Sequence, residues 1–278
     1  MPVLIQSVTR ALHILEILTK HPEGLSVKEI ANKVGLNVST THHLVNTLEA
    51  ENYVSWLGNS TWGLGLAIPR LYSAFLQAFQ PDARLLEVLS ILAKTTCETT
   101  YMTTWQNNDI VIQAILESSQ ALRIGGLYIG YQGFAHARAG GKALLAYLSE
   151  EQLDAYLEHH PLTPLTPYTI QDKTEFKSHL KTVAQRGYAI DQEEFAAGVC
   201  CIAAPILLAD GKAIKALSVS VPTQRFIENE ERLISAVTRA AQDASTILAL
   251  KPIRAQAPTS ETGLNTTTKS RRSARSKL

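Results

Sequence analysis

The 278-residue sequence is poor in the residues that give a protein ready-made chemistry. It has three cysteines, two methionines and three tryptophans, and aromatic residues make up only 6% of it. Three cysteines, two of them adjacent at Cys200 and Cys201, cannot build a disulfide framework, which points to a reducing, cytoplasmic setting. No run approaches the roughly 18 consecutive apolar residues of a membrane span. The opening MPVLIQSVTR is too polar to read as a secretory signal. A phosphate loop is missing too: around Gly141-Lys142 the earlier glycine is replaced by His136, and Ala143 stands where a hydroxyl residue belongs. Gly63-Leu64-Gly65 lacks the third glycine of a dinucleotide fingerprint.

The histidines offer no metal site either. His42 and His43 are adjacent, and adjacent helical residues diverge by about 100°. The positions four residues on are Asn46 and Thr47, so the second ligand of a helical pair is absent. Cys201, His136 and Asp191 have the chemistry of a nucleophile, base and orienter. Yet VCCIAAPI reads as a buried strand, where a thiolate is disfavoured. The reading is therefore no catalytic residues, no metal and no cofactor.

What is present is an ordinary globular composition, 45% hydrophobic and 18% charged, with an uneven distribution of charge. Residues 1–80 carry five Lys/Arg and five Asp/Glu. Residues 81–250 carry 14 basic and 19 acidic residues, and residues 251–278 carry seven basic residues against Glu261. An acidic body with a basic, Ser/Thr-rich tail suits either a polyanion partner or a solvated, disordered end that keeps the protein in solution.

Along the chain, SVTRALHILEILTKHPEG spaces Val8, Leu12, Leu15 and Leu18 helically, with Ser7 as cap and Pro22 and Gly24 as the stop. LSVKEIANKVG follows, with Ser26 and Glu29 as a capping box and Gly35 as the end. A helix from Val38 to Glu51 buries Thr41, Leu44, Val45 and Leu48, which leaves Ser39, His43, Asn46 and Thr47 outward and Thr40 and His42 on the flanks. Two helices joined at Gly35-Leu36-Asn37 form a helix-turn-helix. Tyr53–Leu57 and Ser60–Leu64, around Gly58-Asn59, then make a hairpin, so the whole segment reads as winged. Ile68, Leu71, Tyr72, Phe75, Leu76 and Phe79 form an apolar helical stripe whose natural cover is its own copy in a second subunit, the alternative being the chain's own downstream domain.

Beyond residue 82 come a helix (DARLLEVLSILAKTT), strands TTYMTTWQ and DIVIQAILES around Asn107-Asn108, and a helical stretch GGKALLAYLSEEQLDAYLEHH that ends at His159-His160. A helix DKTEFKSHLKTVAQRG, two strands around Asp210-Gly211 and a closing helix complete the order. Adjacent strands between helices predict an antiparallel sheet with helices packed on it.

In QSVTRALHILEIL, GLSVKEIANKVGLNVSTTHHLVNTLEAENYV, WGLG, HARAGGKALLA, RGYAIDQEEFAAGVCCIAAPI and ALSVSVP, the chain resembles the IclR family of bacterial transcriptional regulators over residues 5 to about 250. The resemblance implies an α+β protein. Residues 1–65 would form a winged helix-turn-helix, 66–81 a linker and dimerisation helix and 82–250 a GAF-like effector-binding domain, while 251–278, beyond the resemblance, reads from its composition as a basic disordered tail. It further implies a homodimer or dimer of dimers on a palindromic double-stranded DNA operator, answering to a small carboxylate or aromatic acid. The alternative is a metabolite sensor whose wing module binds protein.

The DNA-facing set is Ser26, Asn37, Ser39, Thr40, His42, His43, Asn46 and Thr47. In the second domain the resemblance places Ala139, Gly140, Asp191 and Cys201 at ligand contacts. Independently, the backbone N–H groups of Ala139, Gly140 and Gly141 suit a carboxylate. Arg138 can clamp the same anion or pair internally with Asp191 or Glu193. Leu127, Ile129, Tyr131 and Phe134 supply apolar walls. Two residues depart from the family's pattern: His43 stands where Arg is common, and Arg138 where a small hydroxyl residue is common.

Overall fold

The computed structural model describes residues 3–250, and the basic run 251–278 lies outside them. The chain begins with three helices, α1 (Gln6–Leu18), α2 (Val27–Val34) and α3 (Val38–Ala50), and a hairpin of β1 (Val54–Gly58) and β2 (Thr61–Leu64). Ile14, Leu18, Leu25, Ile30, Val45, Val54 and Trp62 form one small core. The capping box expected at Ser26 and Glu29 is made in full. Gly35 ends α2 in the left-handed region at φ 68°, a conformation that only glycine adopts without strain.

The phase of α1 differs from the sequence reading. Ile14 and Leu18 are buried, whereas Val8 and Leu12 are each 54% exposed. Ser7 lies inside the helix, Ile5 takes the N-cap position, and no side chain caps it. The reason is that α1 is apolar on more than one side, with Ile14 and Ile17 beside Leu12 and Leu15. The side that meets α2 and α3 is the one through Ile14 and Leu18.

Helix α4 (Ala67–Phe79) follows, and then α5 (Ala83–Thr96) opens the second unit. Its five strands are β3 (Thr99–Gln106), β4 (Asp109–Leu116), β5 (Ala189–Gln192), β6 (Val199–Leu207) and β7 (Ala213–Pro222). They pair in the order β4-β3-β7-β6-β5, and every neighbour is antiparallel. The α+β architecture expected from the sequence is thus the one adopted. The strand β5 was not anticipated, because four residues are too few to show alternation.

Alternation along the longer strands splits the sheet into two faces. Met102, Ile202, Ile206, Leu217, Val219 and Val221 pack under α5 and α9 (Thr223–Ala249). The opposite face presents small residues, Ala189, Ala203 and Ala216, to α6 (Ala139–Leu145) and α8 (Lys173–Arg186). The helical stretch predicted across residues 140–160 is broken into α6 and α7 (Glu150–His159). Ser149 caps α7 in a capping box with Gln152, so the second helix starts afresh there. No helix among the described residues is long and apolar enough to cross a membrane.

Candidate DNA-reading face and effector pocket

The α3 surface is set by its cap and its buried stripe. Asn37 Oδ1 accepts the Thr40 N–H at 2.8 Å, and the buried Thr41 hydroxyl donates to the Asn37 carbonyl at 3.0 Å. With Thr41 and Val45 inward, Ser39, His42, His43, Asn46 and Thr47 are exposed and Thr40 is half-buried. Three of these side chains, those of His42, Asn46 and Thr47, already have partners. The Asn46 amide hydrogen-bonds His42 Nδ1 at 3.2 Å, and the Thr47 hydroxyl donates to the His43 carbonyl at 2.9 Å. Reading an adenine edge with both amide atoms would therefore require Asn46 to release His42. Ser26 and Asn37 use their side chains as helix caps. The His42 and His43 rings stand perpendicular with centroids 6.4 Å apart. On the wing, Trp56 is exposed and packs edge-on to Trp62; the sequence reading did not single it out.

In the second unit, residues 117–138 run as a lid between β4 and α6. One end is tied down by the Ser118 hydroxyl to the Cys97 carbonyl at 2.7 Å, and by Arg225, which grips Glu98 through two bonds and the Leu122 carbonyl at 2.9 Å. The other end pairs with β4, where Ile112 exchanges bonds with Gly130 and Tyr131. Gly130 also lies against Phe75 of α4, since a Cβ there would stand 3.6 Å from the ring.

The sheet beneath carries a polar rung. Asp191 pairs in register with Cys201, Cys201 with Ser220, and Ser220 with Thr99. Cys201 Sγ and Ser220 Oγ are 2.8 Å apart. Asp191 is 1% exposed; its Oδ1 accepts the N–H groups of Glu194 and Phe195, and its Oδ2 has no partner. Burial pushes its carboxyl up to about 7, against the pull of Lys142. Burial likewise raises the Cys201 thiol, with the Asp191 charge adding to it, so little thiolate is available. His136 does not serve that thiol: its Nε2 bonds the Thr163 carbonyl at 3.0 Å.

Arg138 is the N-cap residue of α6 and is 6% exposed. It forms no ion pair with Asp191 or Glu193, the internal partners that the sequence allowed. Instead one Nη donates to the Ile110 carbonyl at 3.1 Å, and the guanidinium sits 5.2 Å from the Tyr131 ring centre. Tyr131 meets Phe195 edge-on at 6.2 Å, so its ring links Arg138 to the turn beside Asp191. Ala139 and Gly140 are buried at the start of α6. A Cβ on Gly140 would stand 2.7 Å from Thr103 Oγ1 and 2.9 Å from Ser218 Oγ; the glycine lets the helix lie on the sheet. Leu127 and Ile129 are half-buried in the lid. Phe134 lies elsewhere, lining a cleft of about 230 Å³ with His136, Tyr156 and His160.

The sequence reading missed the strongest electrostatic feature, a fully buried Lys142 whose ammonium bonds Glu194 and the Ile190 carbonyl. A lysine in the small-residue run AGGKALL was its only signal. Ser218 and Ser220 were legible as alternating polar positions in LSVSVP.

This arrangement has known counterparts. The family model described as the IclR helix-turn-helix domain matches residues 7–58, and that described as bacterial transcriptional regulator IclR C-terminal matches residues 82–246. The HTH-type transcriptional regulator XynR of Escherichia coli is 32% identical over 82% of this chain and 90% of its own length. The crystal structure of the Thermotoga maritima IclR is 27% identical, covers 88% of this chain and 99% of that one, and superposes with a TM-score of 0.71. An IclR homolog from Microbacterium hydrocarbonoxydans, complexed with 4-hydroxybenzoate, shares the fold at 21% identity and a TM-score of 0.68, covering 87% of this chain and 98% of that one. The chain belongs to the IclR family of ligand-responsive, DNA-binding transcriptional regulators.

Proposed function

We propose that the chain acts as a homodimer, or a dimer of dimers, that reads a palindromic operator and is switched by a small carboxylic acid. Residues 1–65 are the DNA-binding head, 66–81 the linker and dimerisation helix, and 82–250 the effector domain. The observation that carries the DNA part is the exposed row Ser39, His43, Asn46 and Thr47 on a helix capped by Asn37, all of them side chains that bond phosphates or base edges. Ser26, Thr40 and His42 border that row. Dimerisation is supported by α4, where Leu71, Tyr72 and Phe75 are 49%, 46% and 42% exposed. A two-fold pair of heads matches a two-fold operator.

The effector lies between the lid and the polar rung, with Leu127, Ile129, Tyr131, Arg138, Ala139, Gly140, Asp191 and Cys201 around it; Phe134, which lines a separate cleft, is left out of the site. The relative complexed with 4-hydroxybenzoate supports an acid of that size. Binding favours one arrangement of the dimer and so changes the spacing of the two α3 helices. The effector is bound and released without chemical change.

The test is selection of sheared genomic fragments by the purified protein at near-physiological salt, beside a Ser39→Ala, Asn46→Ala double variant. The expected result is enrichment of a palindromic site that the variant loses. Enrichment by both proteins alike would remove α3 from sequence reading.

A further inference from the structure

Among the described residues two cations are buried, Lys142 and Arg138, and they are treated differently. Lys142, 0% exposed, has a carboxylate partner in Glu194. Arg138 has none. Its buried Nε–H has no acceptor, and its contacts within the protein are one Nη bond to a backbone carbonyl and a ring face. A largely buried guanidinium without a counter-charge is costly, and buried arginine is almost always paired. Burial accordingly weakens its hold on the proton, with Tyr131, Tyr156, Asp109 and Cys201 opposing that effect.

The missing charge has one natural source. Resting on the reading that an effector binds beneath the lid, we infer that Arg138 is its anion anchor and that the effector is a monocarboxylate. One carboxylate oxygen takes the free Nε–H and the other takes the adjacent Nη, the side-on fork that a guanidinium offers to a planar anion. The body of the ligand lies along Tyr131 and Phe195. Its far end reaches the rung of Asp191, Cys201 and Ser220, where Asp191 Oδ2 is still unpartnered.

The charge balance sets the class. One unpaired cation calls for one negative charge. A neutral ligand would leave the guanidinium uncompensated. A dicarboxylate would bring its second charge towards Glu194, whose Oε2 has no donor. A phosphate monoester, close to dianionic at neutral pH, meets the same repulsion. The anchor also makes selection steep, since a site built around a charged donor rejects the analogue that leaves it unpaired.

The experiment measures binding of benzoate, 4-hydroxybenzoate and pyruvate, each beside its carboxamide, and of succinate, to the full chain by titration calorimetry. The same probes are applied to Arg138→Gln and Arg138→Lys. The expected result is that at least one monocarboxylate binds, that its amide binds at least about tenfold more weakly, and that Arg138→Gln brings the acid down to the level of the amide. Arg138→Lys, which keeps the charge and loses the fork, restores part of the difference. Should the glutamine variant fail to fold, the acid-against-amide ratio of the native chain and the lysine variant still decide. An acid that binds Arg138→Gln as tightly as the native chain overturns the anchor and leaves the effector site standing. Binding of succinate or an amide in preference to every monocarboxylate overturns the ligand class. If none of the seven probes binds the native chain, the monocarboxylate assignment falls, while operator selection judges the regulator independently.

Discussion

At Asp191 one carboxyl oxygen accepts two backbone N–H groups and the other accepts none, in a residue closed off from water. Its carboxyl titrates at about 7 in the fold and near 3.9 in an unfolded chain. Between those values the native state holds a proton that the unfolded state has lost. The stabilisation is therefore complete below about pH 4 and disappears as pH rises through 7. Asn imitates the protonated acid without titrating. The stability of Asp191→Asn relative to the native chain should rise between pH 5 and 8.5, by an amount on the order of 1–3 kcal/mol. Thermal midpoints taken across that range check it, and groups that the two proteins share, such as the buried His136, cancel in the difference. A constant offset would mean that the carboxyl ionises alike in both states.

The helix α6 is seven residues long and carries Arg138 at its N-cap, and Gly140 and Gly141 let it lie close on two sides. A Cβ on Gly141 would stand 2.1 Å from the Ala135 carbonyl oxygen, which is backbone and cannot step aside. Gly141→Ala should therefore cost about 1–3 kcal/mol or more. Gly125→Ala in the lid, where a Cβ meets nothing within 4 Å, should stay within about 0.5 kcal/mol. Urea midpoints with unchanged slope would report both, and equal midpoints would refute the close packing of α6.

Elements of this kind differ in how far the sequence announces them. The capping box at Ser26, the glycine stop at Gly35 and the cap at Asn37 are local signals, and α2 and α3 follow them. The face of α1 was not legible. Periodicity finds an apolar stripe, but a helix apolar on several sides leaves tertiary packing to choose among them. The break before α7 needed only Ser149 and Gln152 to be read as a second capping box. Around the proposed effector site, Arg138, Asp191 and Cys201 are nameable from the sequence as candidates, and the structure buries Arg138 and Asp191. The Lys142–Glu194 pair joins residues 52 positions apart, and no spacing rule reaches that far.

At the scale of the molecule, α4 stands with its aromatic side uncovered, Phe75 stacked on Phe79 at 4.9 Å and Leu71 and Tyr72 beside them. If a second copy covers this side, Leu71→Glu with Phe75→Glu should yield a species of the monomer mass, 30.4 kDa, where the native chain runs at twice or four times that. Light scattering after size exclusion measures it, and an unchanged oligomer would place the contact elsewhere. The same helix touches the lid at Gly130, so a rearrangement of α4 is felt beside the pocket.

The α3 helix has no lysine or arginine, and the first 80 residues balance five cations against five acids. Most proteins of this kind are held on random DNA by cation–phosphate attraction, and a genome offers about 10⁶–10⁹ such wrong sites. A head this neutral should gain little from that attraction, so any salt-dependent hold on random DNA would have to come from elsewhere in the chain, as from the seven basic residues of 251–278.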